Sequence, residues 1–410
     1  MSIIVVDGHR ETAEVEFAGR HPDIFSTFLA AYLVERLAEE SDKLGYIHDF
    51  RADLFVLSKA VSERNGNITP IEINIGGQVV IPQGIDLEQI TLEATKTLLE
   101  GAGYFKDGDF SPQHLATDIR GITSQSPILK GVSSSNKFAD FFNVYGHYLD
   151  SPFGISGAFP SLIIAKRIDN CLDDIIKNEI DGLRPDGKVY VTIKYTKNGF
   201  FVEDVGISIA HQKGINQNFK SQIKDTVIGR IKDCGIKDAS FSVNSGGDFY
   251  VYFLQADGGM SKAKDDVVIT GGLHQLGTDK VWGKCLYKPS SIAIPYAFAL
   301  SRAVCEALGA KYASVNVHAK YGQDIKILEI WDIDPRFEQY RNAINQALDK
   351  LPKDRSSIME ILGFEVNLNS YKIFNDVGGF HSPDKPWKRH NPELNELFLK
   401  SYKKFLEMVF

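Results

Sequence analysis

Apolar residues recur three and four positions apart from residue 22 to about residue 40, placing Phe25, Phe28, Leu29, Tyr32, Leu33 and Leu37 on one helical face. The period then changes. RADLFVLSKAVSE and ITPIEINIGGQVVI are β-rich runs separated by the turn-forming Asn65-Gly66-Asn67, which predicts a hairpin. A second helix is predicted from residue 86 to about 100, stopping at Gly101. The same order returns in SPFGISGAFPSLIIAKRIDNCLDDIIKN, then KVYVTIKYTKNGFFVEDVGISI turning at Asn198-Gly199, then a helix from about 216 to 232. It returns again in PSSIAIPYAFALSRAVCEALG, YASVNVHAKYGQDIKILEIWD turning near Gly322, and PRFEQYRNAINQALDKL. The leading helices start near Pro22, Pro152 and Pro289, spacings of 130 and 137 residues. That period is domain-sized, unlike the roughly 20–50 residues of a solenoid. The pattern predicts an α+β chain of three similar lobes, divided at 1–125, 126–260 and 261–410; three unrelated segments of like order would read the same way. Each hairpin sheet has one face that its own helices do not cover, open to another lobe or another subunit.

A chain of 410 residues exceeds one ordinary core, which agrees with several lobes. A net charge of −7 gives no overall attraction to nucleic acid or to an acidic membrane, so any anion site must be built locally from lysines. Cys171, Cys234, Cys285 and Cys305 show no CxxC spacing and read as reduced thiols, with no zinc site expected. Neither a leader segment nor a run of about 18 apolar residues is present, which makes the cytoplasm the expected compartment.

Chemistry-bearing residues collect where the elements join. His21-Pro22-Asp23 opens the first helix, where a proline and an adjacent carboxylate suit a helix start. Capping alone leaves unexplained a proton donor, His21, beside a hard-cation ligand, Asp23. In Leu183-Arg184-Pro185-Asp186-Gly187-Lys188, the side chains of Asp186 and Lys188 share one side of a strand; a turn and a surface ion pair would look alike. The loop from Ala256 to Lys264 combines Asp257, glycines that allow close backbone approach, and lysines able to meet phosphates. A glycine-rich stretch from Gly271 to Lys284 follows, then Lys288. Neither GxxxxGK[ST] nor GxGxxG occurs, so P-loop and dinucleotide sites are not indicated.

Taken in order, these joints resemble the signature set of the S-adenosylmethionine synthetase family. His21-Pro22-Asp23 resembles its GHPD motif, Gly76-Gly77-Gln78 its GGE segment, and Gln125-Ser126-Pro127 its QSPD. LRPDGK at 183–188 is nearly LRPDxK, and ISIAHQ with His211 falls at STQH. The run from Asn244 to Gly259 is similar to NPTGRF…GDAG, which puts Asp257 on its aspartate and Lys264 on the lysine of GRK; GGFHSPDKPW resembles the C-terminal GHFGR…PW. Departures accompany these matches. Asp140, ahead of Tyr145-Gly146, is what remains of the GAGDQG loop. Ile24 replaces a lysine, Gln78 a glutamate that recognises the methionine ammonium, and Ala263 the arginine before Lys264. Only Lys284 and Lys288 survive of FSGKDPTKVD, with Ser290 near its metal-binding aspartate.

The resemblance implies three lobes in pseudo-threefold arrangement and a homodimer, or a tetramer, with active sites between subunits. It also implies adenosyl transfer from ATP to L-methionine with Mg²⁺, and K⁺ as an optional second ion. In that chemistry the methionine sulfur attacks C5′ of ATP and expels triphosphate, which is cut to pyrophosphate and phosphate. His21 would protonate the departing oxygen, Lys188, Lys264, Lys284 and Lys288 would neutralise the phosphates, and Asp23 would hold Mg²⁺. Asp140 and Asp257 would serve the methionine ammonium or a monovalent cation, Gln125 would orient methionine, and Asp186 and Gln78 would complete substrate binding. The departures keep two other readings open: transfer to a different acceptor, and a degenerate nucleotide-binding paralogue.

Overall fold

The computed structural model describes residues 8–16, 21–59, 71–80, 82–104, 115–118, 122–123, 142–150, 158–197, 199–250, 252–273, 276–277, 281–319, 323–377, 380, 382 and 384–409. The strands are β1 (Arg10–Glu16), β2 (Arg51–Lys59), β3 (Ile71–Val80), β4 (Leu115–Asp118), β5 (Ile122–Thr123), β6 (Phe142–Leu149), β7 (Leu183–Thr196), β8 (Gly199–His211), β9 (Ser240–Val243), β10 (Gly259–Met260), β11 (Tyr312–Ala319) and β12 (Ile325–Ile333). The α-helices are α1 (Pro22–Lys43), α2 (Leu87–Ala102), α3 (Pro160–Asn178), α4 (Phe219–Arg230), α5 (Asp265–Thr270), α6 (Ser290–Leu308), α7 (Arg341–Leu348), α8 (Arg355–Leu362), α9 (Leu368–Asn375) and α10 (Pro392–Val409).

The α+β expectation holds. The predicted hairpins are the antiparallel pairs β2–β3, β7–β8 and β11–β12, and each packs against the helix that leads its repeat, α1, α3 or α6. Alternation explains the one-sided cover. In β2, Leu54, Val56 and Ser58 are buried, while Asp53, Phe55, Leu57 and Lys59 lie on the less covered side.

Three boundaries differ from expectation. Helix α2 runs on to Ala102 because the left-handed cap is Gly103, not Gly101. Helix α3 starts at Pro160 rather than near Pro152; proline occupies its first position, where no amide is needed. The third trailing helix is split into a 3₁₀ turn, Pro335–Tyr340, and α7, because the Asp334 side chain caps the turn at the Arg336 amide. The turns at 65–67 and 322, and Asn198, lie outside the described residues.

What the repeats do not show is how the sheets exchange strands. β1 pairs with β7 in the central sheet, ordered β1-β7-β8-β9. β10 pairs with β2 in the first, and β6 joins β11 in the third, ordered β12-β11-β6. One hydrophobic core runs through the first and third hairpin layers, from Phe25, Leu54 and Ile73 to Ile292, Val315 and Trp387. The central sheet closes over a second core, where Ala13 and Val15 of β1 pack with Leu162, Ile168 and Val191. Cys171, Cys234, Cys285 and Cys305 are all buried and unbridged. Among the described residues one helix, Ser290–Leu308, is long and apolar enough to cross a membrane, and 78% of it is buried inside the protein.

Glu11 shows how the N-terminal strand is locked to the central core. Its carboxylate accepts from the Ser161 amide at 3.0 Å and hydroxyl at 2.6 Å in the first turn of α3, and from the Tyr195 hydroxyl at 2.6 Å. Burial raises the Glu11 carboxyl above the usual range, and these hydrogen bonds only partly offset it. A raised folded-state value means that this residue's contribution is fully present below about pH 4.5 and is lost as pH rises through the folded value. Glu11→Gln keeps an acceptor for Ser161 and a donor for Tyr195 without that loss. We expect the variant to gain roughly 1 kcal/mol over wild type at pH 8 and to show no gain at pH 4, read from urea midpoints; a gain that shrinks as pH rises contradicts the assignment.

Candidate functional site

The segment from Ala256 to Lys264 is laid along the edge of β2 by a series of bonds. The Met260 amide donates to Asp23 Oδ1 at 2.9 Å, the Ser261 amide to the Val56 carbonyl, and the Lys262 amide to Thr27 Oγ1 at 3.1 Å; Ser261 Oγ accepts from the Val56 amide in return. Gly259 has no alternative, since a Cβ there would meet the Pro22 carbonyl oxygen at 2.2 Å. The N-terminal turn of α1 and this loop therefore form one unit.

At one end of the loop lies a cleft of about 450 Å³. Its walls include His21, Asp186, Lys188, Asn244, Asp248, Phe249 and Asp257. His21 is the residue before α1, buried, and its ring does not cap the helix, so capping does not account for it. Asp186 is buried and accepts from the Phe253 amide at 2.6 Å, which fixes the carboxylate in the wall. Lys188 reaches Glu14 of β1 at 3.1 Å. Asp257 binds the amide of Gly258 in its own loop. The far wall is carried by His211. Its Nδ1–H donates to the Gln212 carbonyl and its Nε2 accepts from the Phe249 amide at 3.1 Å, a pairing that assigns the neutral Nδ1–H tautomer. Asn244, at φ 47°, extends the ladder by bonding both backbone groups of Ile209 through its side-chain amide.

At the other end, three lysines surround one carboxylate. Lys262 Nζ lies 2.6 Å from Asp53 Oδ1, Lys288 Nζ lies 3.0 Å from Oδ2, and Lys284 contacts Ser290 Oγ at 3.1 Å while its backbone bridges Asp53. Burial alone would raise the Asp53 carboxyl, but the charges of Lys262, Lys284 and Lys288 outweigh it and hold it well below the carboxylate range. Burial lowers Lys262 from its ordinary value, opposed by Asp53. Three ammonium groups are thus gathered round one buried carboxylate, the local concentration of lysines that an anion site in an acidic chain would need. Gln78 is the cross-strand partner of Asp53 in the β2–β3 register.

Comparison with known proteins bears on the segment and the fold that carry this site. Residues 159–249 match the S-adenosylmethionine synthetase central domain. An S-adenosylmethionine synthase of Petrotoga mobilis is 36% identical over 129 residues, 30% of this chain and 32% of that enzyme's length. A structure titled as an unusual S-adenosylmethionine synthetase from Campylobacter jejuni superposes with a TM-score of 0.75 at 17% identity, covering 96% of this chain and all of the other. The chain is similar to the S-adenosylmethionine synthetase family in sequence over its central segment. It has that family's fold throughout, and the sequence match spans about a third of the curated relative's length.

Of the residues singled out in the sequence, the synthetase-like fold brings His21, Asp186, Lys188 and Asp257 to the cleft, and Lys284, Lys288 and Gln78 to the Asp53 cluster. Asp23 staples the loop between them. Lys264 stands at the start of α5, outside the cleft lining. Gln125 and Asp140 lie outside the described residues. Asp53, Lys262, Asn244 and Phe249 were not singled out. Lys262 was visible in the same glycine-rich loop, but Asp53 lies 209 positions away and reads as one polar residue in an alternating strand.

For ions, no three His, Cys, Asp or Glu side chains converge among the described residues. Mg²⁺ held chiefly by substrate phosphates needs only one or two carboxylates, and Asp23, the expected ligand, has Oδ1 engaged by the Met260 amide.

A depressed Asp53 contributes stability above about pH 4, lost as pH falls toward its folded value. Asp53→Asn leaves three ammonium groups without their anion and is expected to cost about 3 kcal/mol at pH 7, with partial recovery on adding tripolyphosphate. Denaturant titration with and without the polyanion reads both; an unchanged midpoint would show that the cluster stores no electrostatic energy.

Proposed function

We propose that the chain transfers the adenosyl group of ATP to L-methionine, releasing pyrophosphate and phosphate. The observation that carries this reading is the single loop joining an acceptor-rich cleft to an ammonium cluster. Lys262 lies five positions after Asp257, a reach of at most about 17 Å in extended chain. A nucleoside triphosphate can touch both ends, with its hydroxyl and amino groups in the cleft and its phosphates toward Lys284 and Lys288. His21 stands where the cleft meets the loop, beside the Asp23 staple, and donates a proton to the oxygen leaving C5′. The lysines stabilise the charge that develops on that oxygen, and fixed alignment supplies much of the rest. Mg²⁺, held by Asp23 and the phosphates, adds further neutralisation when bound. Lys188 serves the same anion from β7. Lys264, Gln125 and Asp140 keep the roles the resemblance implies, and the cytoplasm remains the expected compartment.

A second reading, transfer to another thioether or nucleophile, is favoured by Gln78, which offers no charge to an ammonium group. Phosphate release from ATP with methionine, with another thioether or nucleophile in its place, and with neither separates the two: release that requires methionine selects the first reading, release only with another acceptor selects the second, and no release with any acceptor refutes both.

His21→Asn is expected to slow adenosyl transfer by about 10²–10⁴-fold while hydrolysis of added tripolyphosphate suffers less, because that step breaks a bond farther along the chain. Equal losses in both half-reactions, or none in either, would overturn the assignment.

The assembly is expected to be a homodimer, or a tetramer, with active sites at the interface. Each sheet exposes large apolar side chains among the described residues, Leu57 and Met260 in the first, Phe201 in the central and Trp331 in the third, as a covered sheet face would. Light scattering at micromolar concentration should give at least twice the monomer mass, and a monomer would refute this.

A further inference from the structure

The Asp53 cluster has a feature that anion binding does not explain. Lys262 adopts φ 71°, the left-handed region that residues bearing a side chain avoid, and it is one of three non-glycine residues with positive φ among those described. The conformation is held from several sides. Its amide binds Thr27 Oγ1, the preceding residue is bonded twice to Val56, and its Cε packs at Gly283, where a Cβ would stand 3.5 Å away. What this backbone achieves is placement of the ammonium on Asp53 Oδ1, with only 16% of the lysine side chain and 24% of the aspartate exposed. Lys284 and Lys288 come from a different segment, beyond α5, and approach the same carboxylate from elsewhere. Of the three lysines at Asp53, Lys262 is thus the one delivered by the loop that also carries Asp257 to the cleft.

We propose that Lys262 is a tethered monovalent cation: its ammonium occupies on Asp53 the position a K⁺ or NH₄⁺ ion would take, orders the 256–264 loop, and makes the site independent of added monovalent ions. The inference rests on the adenosyl-transfer reading above for its catalytic consequence, while its structural consequence stands alone. An ammonium group and a potassium ion carry equal charge and are similar in size. Asp53 is already shared by Lys262 and Lys288, so a free monovalent ion finds no open carboxylate oxygen in the native cluster. Removing the Lys262 side chain restores one, lined by Asp53 Oδ1 and the space left beside Gly283. Glycine is the replacement that also relaxes the left-handed backbone.

The test compares wild type with Lys262→Gly in choline chloride, KCl and NH₄Cl at equal ionic strength. Wild type is expected to keep the same melting temperature in all three salts, and the same methionine-dependent turnover within twofold. Lys262→Gly is expected to gain roughly 2–4 °C in KCl or NH₄Cl over choline chloride, as ligand linkage requires. In choline chloride its turnover should fall at least tenfold, with recovery in the other two salts. A wild type that is stabilised or accelerated severalfold by K⁺, or a Lys262→Gly variant whose melting temperature ignores K⁺ and NH₄⁺, overturns the proposal. If neither protein turns over ATP with methionine, the melting arm still decides the cation role, and the failure falls on the proposed reaction alone.

Discussion

The ion pairs on Asp53 hold together parts of the chain that nothing in their local sequence would join. The aspartate belongs to the first hairpin, Lys262 to the loop after the central lobe, and Lys288 to the lead-in of α6. A carboxylate buried to this degree is costly unless it is paired, and three ammonium groups brought together are costly without it. Each half of the cluster thus requires the other, and the loop between Asp257 and Lys262 has a fixed place only while both are present. The cleft inherits its shape from the same constraint, because its Asp257 wall is that loop and its His21 wall is the turn to which the loop is stapled.

Exchange of edge strands spreads this dependence through the fold. The central sheet is incomplete without β1, and the third without β6, so no lobe can be removed as a continuous segment with its sheet intact. The shared core of the first and third lobes has the same effect in the apolar interior. Such pairings join residues far apart in sequence, for example Glu14 with Tyr190 and Asn316 with Tyr145. Closing those loops costs entropy before any contact repays it. The arrangement favours unfolding as one unit and leaves the cleft between lobes that cannot easily drift apart.

Local rules carried the sequence reading as far as they reach. The three hairpins and their leading helices were legible because alternation, turn residues and helical periodicity are properties of neighbouring residues, as in β2 and α1. The start of α3 was misplaced because Pro152 and Pro160 both suit a helix start, and what marks the true one is Glu11, some 150 positions away. The exchanged strands and the Asp53 cluster escaped for the same reason. His21, Asp186, Lys188 and Asp257 were legible because each sits at a joint, where a scaffold displays functional groups. Phe249 was not, since its position depends on the His211 imidazole across the loop rather than on its own neighbours.

The departures from the family pattern take on a physical meaning in this setting. Ala263 stands where the resemblance expects an arginine, which would remove a positive charge from the loop; one residue earlier, Lys262 supplies one. The substitution is not equivalent, because an ammonium is a compact point charge and a guanidinium a planar fork suited to bidentate phosphate contact. A point charge is what a carboxylate such as Asp53 can hold in a fixed place, and the left-handed backbone of Lys262 directs it there rather than toward the cleft. Positive charge at Lys262 is therefore spent on order in the loop. A site built in this way trades direct phosphate contacts for a rigid loop, and rigidity is what a reaction governed by alignment of a thioether, a ribose carbon and a leaving oxygen can least do without.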